Sequence, residues 1–90
     1  MKVSQLINDN GNPAANQFVF HDDKQVIFQS YSTIIAKVEG RQVYFTAGAL
    51  DHSKTTTKHL RNFLRQYADM DKTTKELRKM VSSGTIKIYE

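Results

Sequence analysis

Apolar residues alternate with polar ones through most of the first half of the chain and recur every three to four residues through the second, a switch from strand to helix patterning. Gln17-Phe18-Val19-Phe20 and Gln25-Val26-Ile27-Phe28-Gln29-Ser30-Tyr31 are aromatic and β-branched runs on either side of His21-Asp22-Asp23-Lys24, which predicts a hairpin. Ile34-Ile35-Ala36-Lys37-Val38 and Gln42-Val43-Tyr44-Phe45-Thr46 predict a second one. Their connection, Glu39-Gly40-Arg41, contains a glycine to supply the positive φ of a tight turn. The expected product is a four-stranded meander. Before it, Asn8-Asp9-Asn10-Gly11-Asn12-Pro13 is a loop, and Met1 to Ile7 reads equally as an edge strand or a first helical turn.

Two helices follow a looser Ala47-Gly48-Ala49-Leu50. The first has Ser53 or Thr55 as its N-cap and turns Leu60, Phe63, Leu64 and Tyr67 toward a core. After the link Ala68-Asp69-Met70 comes the second, where Thr73-Thr74-Lys75-Glu76 has capping-box spacing with Asp71 as the competing cap. Leu77, Met80 and Val81 form its buried stripe, and Gly84 fits its stop. Thr85-Ile86-Lys87-Ile88-Tyr89 alternates again and predicts a closing strand that pairs with the meander. The fold class is therefore α+β, an antiparallel sheet with two helices packed on one face, in a single domain spanning residues 1–90. A chain of 90 residues buries about two thirds of its unfolded surface in one core. Phe18, Phe20, Phe28, Tyr44 and Phe45 alternate as core residues should, whereas Tyr31, at a strand end beside Gln29, Ser30 and Ser32, is placed at the surface as an interface contact.

Charge adds a second layer of information. The net +4 is not evenly spread: residues 1 to 50 carry four basic and four acidic side chains, and residues 51 to 90 carry nine basic and five acidic. Lys54, Lys58, Arg61 and Arg65 recur at i, i+4, i+7 and i+11, so one face of the first helix carries four cations; Lys72, Lys75 and Lys79 widen the patch if the second helix faces the same way. Such a surface suits DNA, RNA or an acidic protein surface, and equally a solvated face that keeps the chain soluble.

Enzyme signatures are sparse. His52 and His59 are two helical turns apart, too far for one ion, and His21-Asp22-Asp23 reads as a turn before it reads as a ligand cluster, so no metal and no cofactor are expected. Asp51, His52 and Ser53 are adjacent in sequence, whereas a triad is assembled from separate elements. A small ribonuclease using His59 with Arg61 and Lys58 is the residual enzymatic reading; a non-enzyme is the expected class. There is no Walker loop, Gly-rich dinucleotide turn or zinc-finger spacing, and the absence of cysteine excludes disulfides. Apolar runs are too short to span a bilayer and the N-terminus has no signal pattern, so a soluble, cytoplasmic protein without a membrane partner is expected.

Three stretches together carry a resemblance: Asn16-Gln17-Phe18; Phe28-Gln29-Ser30-Tyr31 running on to Ile34-Ile35-Ala36-Lys37; and Asp51-His52-Ser53-Lys54-Thr55-Thr56-Thr57-Lys58-His59-Leu60 with Phe63-Leu64. Over about residues 10–66 the chain resembles a group of small proteins from phages and prophages of Gram-positive bacteria. The resemblance implies a life in the bacterial host cell and a role in binding a host protein or nucleoprotein complex, including inhibition of defence systems such as CRISPR. It assigns no residue a role. Inhibitors that mimic DNA are acidic, and this chain is basic. An exposed edge strand, Met1 to Ile7 or Thr85 to Tyr89, is the expected route to a homodimer.

Overall fold

The computed structural model describes residues 1–89; Glu90, the last residue of the expected domain, lies outside them. Period-two alternation produces six strands that stand in one sheet in chain order: β1 (Lys2–Ile7), β2 (Pro13–His21), β3 (Gln25–Ser30), β4 (Thr33–Glu39), β5 (Gln42–Thr46) and β6 (Lys87–Tyr89). The first five are antiparallel neighbours. Both expected hairpins form. At the first, the Asp22 carboxylate accepts the backbone N–H groups of Lys24 (2.8 Å) and Gln25 (2.9 Å), which holds its pKa below the ordinary carboxylate value. At the second, Gly40 takes φ +61° between the paired residues Glu39 and Gln42.

The meander differs from expectation at both ends. Within the stretch Met1 to Ile7, Lys2–Ile7 is a strand, so the meander has five members rather than four. Only Leu6 of β1 is buried, which is why alternation did not mark it. Pro13, expected in the loop, opens β2, a strand-initial position where a missing N–H costs no ladder bond. At the far edge β6 runs parallel to β5, with Tyr44 opposite Lys87 and Phe45 opposite Ile88. The parallel direction follows from the path: the chain leaves β5 at its C-terminal end, and the two helices carry it back to the end where β5 begins before β6 enters.

Both helices start as their cap chemistry dictates. α1 (Lys54–Tyr67) is capped by Ser53, whose hydroxyl accepts the Thr56 N–H at 3.0 Å. α2 (Thr74–Ser82) has the full box: the Thr73 hydroxyl accepts from the Glu76 N–H (3.2 Å) and the Glu76 carboxylate accepts from the Thr73 N–H (2.9 Å). Gly84, at φ +83°, stops α2 just beyond its cap. Leu60, Phe63 and Leu64 of α1 and Leu77 of α2 join Val19, Phe28, Ala36, Val43 and Phe45 in one core, so the helices cover one face of the sheet. Phe63 stacks on Phe28 with ring centroids 5.4 Å apart.

The aromatic residues divide more finely than their alternation suggested. Phe28 and Phe45 are buried under the helices, but Phe18, Phe20 and Tyr44 are only half-buried, on strand positions that alternate to the opposite face. No helix among the described residues is long and apolar enough to cross a membrane.

One buried polar side chain ties the layers together. Asn62, on the inward side of α1, donates to the Ile7 carbonyl at 2.7 Å and accepts from the Gln66 amide at 2.8 Å. The Gln66 amide reaches the same carbonyl. Removing Asn62 deletes two hydrogen bonds, each contributing about 0.5–1.5 kcal/mol, and leaves a void where its buried side chain packed. In urea denaturation, Asn62→Ala is therefore expected to lose more stability than Ser53→Ala, whose exposed cap contributes about 1 kcal/mol.

Candidate functional site

The cationic stripe of α1 lies on the outward side, as its periodicity requires, but its four members do different things. Lys54 and Lys58 are exposed and have no ion pair or hydrogen bond through their ammonium groups among the described residues. Arg61 donates its Nε–H to the Lys72 carbonyl at 2.8 Å, which fastens the link between the helices to α1. Arg65 reaches Asp9 at 3.1 Å and Asp71 at 3.8 Å, so its charge is largely matched. Half of the expected free stripe is therefore structural.

A different grouping replaces it. An open groove of about 530 Å³ lies where the start of α1 approaches α2. Its walls include Lys54, Lys58 and Arg61 from α1 and Thr74 and Arg78 from α2. Among the described residues the one carboxylate on its wall, Asp51, is held by Arg78 at 2.8 Å; the same guanidinium lies 3.3 Å from the Leu50 carbonyl. Among the described residues, three cations (Lys54, Lys58 and Arg61) thus remain unmatched by a carboxylate in the groove. The helix end adds to them, because α1 has no acidic residue in its first turn and carries Lys54 where the macrodipole favours an anion. At α2 the same end is compensated by Glu76, whose pKa is lowered by its hydrogen bond from the Thr73 backbone.

Beyond the Asp51–Arg78 pair the groove continues into a second hollow of about 270 Å³ with one apolar wall. Leu50, Val81 and the half-exposed Ile88 form that wall with parts of Phe45 and Ala49, and Thr46, Ser82 and the ion pair form the polar one. The two hollows share Leu50, Asp51 and Arg78, so the ion pair forms the ridge between a cationic half and a part-apolar half.

Lys72, Lys75 and Lys79 are exposed but line neither hollow; they extend the basic surface along α2 without entering the groove. Tyr31 is 65 % exposed at the β3–β4 turn with φ +55°, its N–H bonded to the Asn16 carbonyl at 2.7 Å. Arg78 was missed in the sequence because its partner lies 27 residues away, and no local spacing marks such a contact.

His59 and Arg61 are not brought together. Arg61 lines the groove, whereas His59 lines a separate hollow with Asn8, Asp9 and Asn10; Lys58 borders both. Among the described residues, no three histidine or carboxylate side chains are close enough to hold a metal ion.

Burial lowers the pKa of His59 from 6.5; the Lys58 charge pushes the same way and Asp9 opposes it. A histidine with a lowered folded pKa binds protons more readily in the unfolded chain, so its burial is fully tolerated above about pH 6.5 and destabilises the fold as pH falls below that value. Thermal unfolding between pH 7.5 and 5 should show this loss, and His59→Gln should flatten the slope over that range.

No curated protein and no solved structure matches the chain significantly. A family model matches residues 1–80, which takes in β1 to β5, α1 and most of α2. By that match the chain belongs to DUF8033, a family of unknown function.

Proposed function

We propose that the chain is a non-enzymatic phage accessory protein that binds and inhibits a host target, a nucleic-acid-dependent defence complex, through an acidic protein segment seated in the groove between α1 and α2. The observation that carries this reading is the pairing of a cationic hollow with a part-apolar one across the Asp51–Arg78 ridge. A segment in which carboxylates stand next to an apolar side chain matches both halves. A phosphodiester backbone matches only the first.

The provenance rests on the resemblance of the Asn16, Phe28 and Asp51 stretches to phage and prophage proteins. The arrangement of charge supports a partner rather than mere solubility. Placing Lys54 at a positive helix end with Lys58 one turn on, and the nearest described carboxylate already taken, works against the start of α1 and suits an incoming anion. Tyr31 is a separate exposed contact for the same target.

Direct binding of DNA or RNA is the competing reading. Its strongest feature is the breadth of exposed cations, from Lys54 and Lys58 to Lys72, Lys75 and Lys79. It is weakened because Arg65, the far end of the backbone-tracking stripe, is occupied by Asp9 and Asp71.

Two experiments separate them. Expressed in bacteria with an active defence system, the chain should raise phage survival, and the double variant Lys54→Glu/Lys58→Glu should abolish the effect. Its stability should hold or rise slightly, because both positions are exposed and a carboxylate at the helix start suits the macrodipole. Unchanged phage survival with the unaltered chain refutes the inhibitor reading. Retention on nucleic acid that weakens with salt by a log–log slope of about −0.9 per neutralised phosphate favours direct binding instead.

A further inference from the structure

The face of the sheet turned away from the helices is not the polar face that a one-sided antiparallel sheet ordinarily presents. Pairing sets Val3, Phe20, Ile27, Lys37, Tyr44 and Lys87 side by side in a row across β1 to β6, the exposed Lys87 standing at the sheet edge. A second row runs Gln5, Phe18, Gln29 and Ile34. Val3 is 58 % exposed, and Phe18, Phe20, Ile27, Ile34 and Tyr44 all retain part of their surface to solvent. The charge in the middle of this face is neutralised: the Lys37 ammonium lies 3.9 Å from the Glu39 carboxylate and 4.8 Å and 4.7 Å from the ring centres of Tyr44 and Tyr89.

We propose that two copies of the chain stack these bare faces on one another about a two-fold axis, sheet against sheet. Six strands spaced about 4.8 Å apart and about 20 Å long present roughly 500–600 Å². Two such faces bury roughly 1,000–1,200 Å², which reaches the size of a specific interface at its lower end. A neutral, apolar centre gives no hold to a basic or an acidic partner, but it is complementary to itself. The excess positive charge lies in residues 51 to 90, chiefly on the helices. Stacking leaves those helices as the outer layers. With sheets about 10 Å apart and a helical layer beyond each, the two basic surfaces are separated by more than two Debye lengths of about 8 Å, so their repulsion is screened. The strands of the two copies cross at about 30°, the angle that sheet twist imposes on aligned packing.

The test is analytical ultracentrifugation of the full chain over a wide concentration series, with circular dichroism to check folding. The unaltered chain should pass from monomer to dimer as concentration rises. Ile27→Lys sets like charges against each other at the centre of the stack and should raise the concentration of half-dimerisation at least about tenfold. Gln29→Lys, a polar position on the same face, should do so with less risk to the fold, and it decides the matter if Ile27→Lys does not fold. A chain that stays monomeric throughout the series overturns the proposal. So does a dimer that survives in the folded variants, which would point to pairing through the β1 or β6 edge.

Discussion

The stacking of Phe63 on Phe28 holds α1 to the centre of the sheet, and the position of nearly everything on the helical side follows from it. Phe28 sits on β3, in the middle of the sheet, and burying each ring contributes about 1.5–3 kcal/mol. With Phe63 fixed, helical periodicity puts Leu60 and Leu64 beside it in the core, Asn62 against the end of β1, and Lys54, Lys58 and Arg61 outward. Arg61 then fastens the link to α2 through the Lys72 carbonyl, which brings Arg78 to Asp51. The groove is thus the outward consequence of an inward aromatic contact.

Much of this was legible in the sequence because it depends on local chemistry. The hairpins at Asp22 and Gly40, the Ser53 cap and the box at Thr73 are each decided within four or five residues, and each forms where turn and cap rules put it. β1 was undecidable because Lys2 to Gln5 are exposed on an edge, where burial imposes no alternation. Alternation in Ile86, Lys87 and Ile88 announces a strand but says nothing of its direction, which the path through two helices sets. It is also silent about which of two faces a residue takes, so the outward side of Phe18, Phe20 and Tyr44 emerged only with the register. The stripe on α1 was correct as geometry. Its occupancy was not legible, since Asp9, Asp71 and the Lys72 carbonyl reach it from elsewhere in the chain.

Arg78 sets how readily the groove can change shape. Its ion pair with Asp51 ties α2 to the segment before α1, and both partners are more than half exposed. Exposed pairs contribute little to stability, about 0–1 kcal/mol. A stronger anionic partner can therefore compete for the guanidinium at small cost to the fold, and the ridge between the cationic and part-apolar hollows is the part of the groove best able to adjust.

The parallel pairing of β6 has a consequence for the order in which the molecule assembles. Each antiparallel pair joins strands adjacent in sequence, and such contacts close early because little chain entropy is lost in forming them. β6 is different: the Gln42 side-chain amide bonds the Thr85 carbonyl across 43 residues, and the ladder beside it spans a similar distance. Ile88 lines the part-apolar hollow from this same strand. During synthesis the meander can form before β6 emerges, so the hollow that Ile88 lines closes only after both helices have been made.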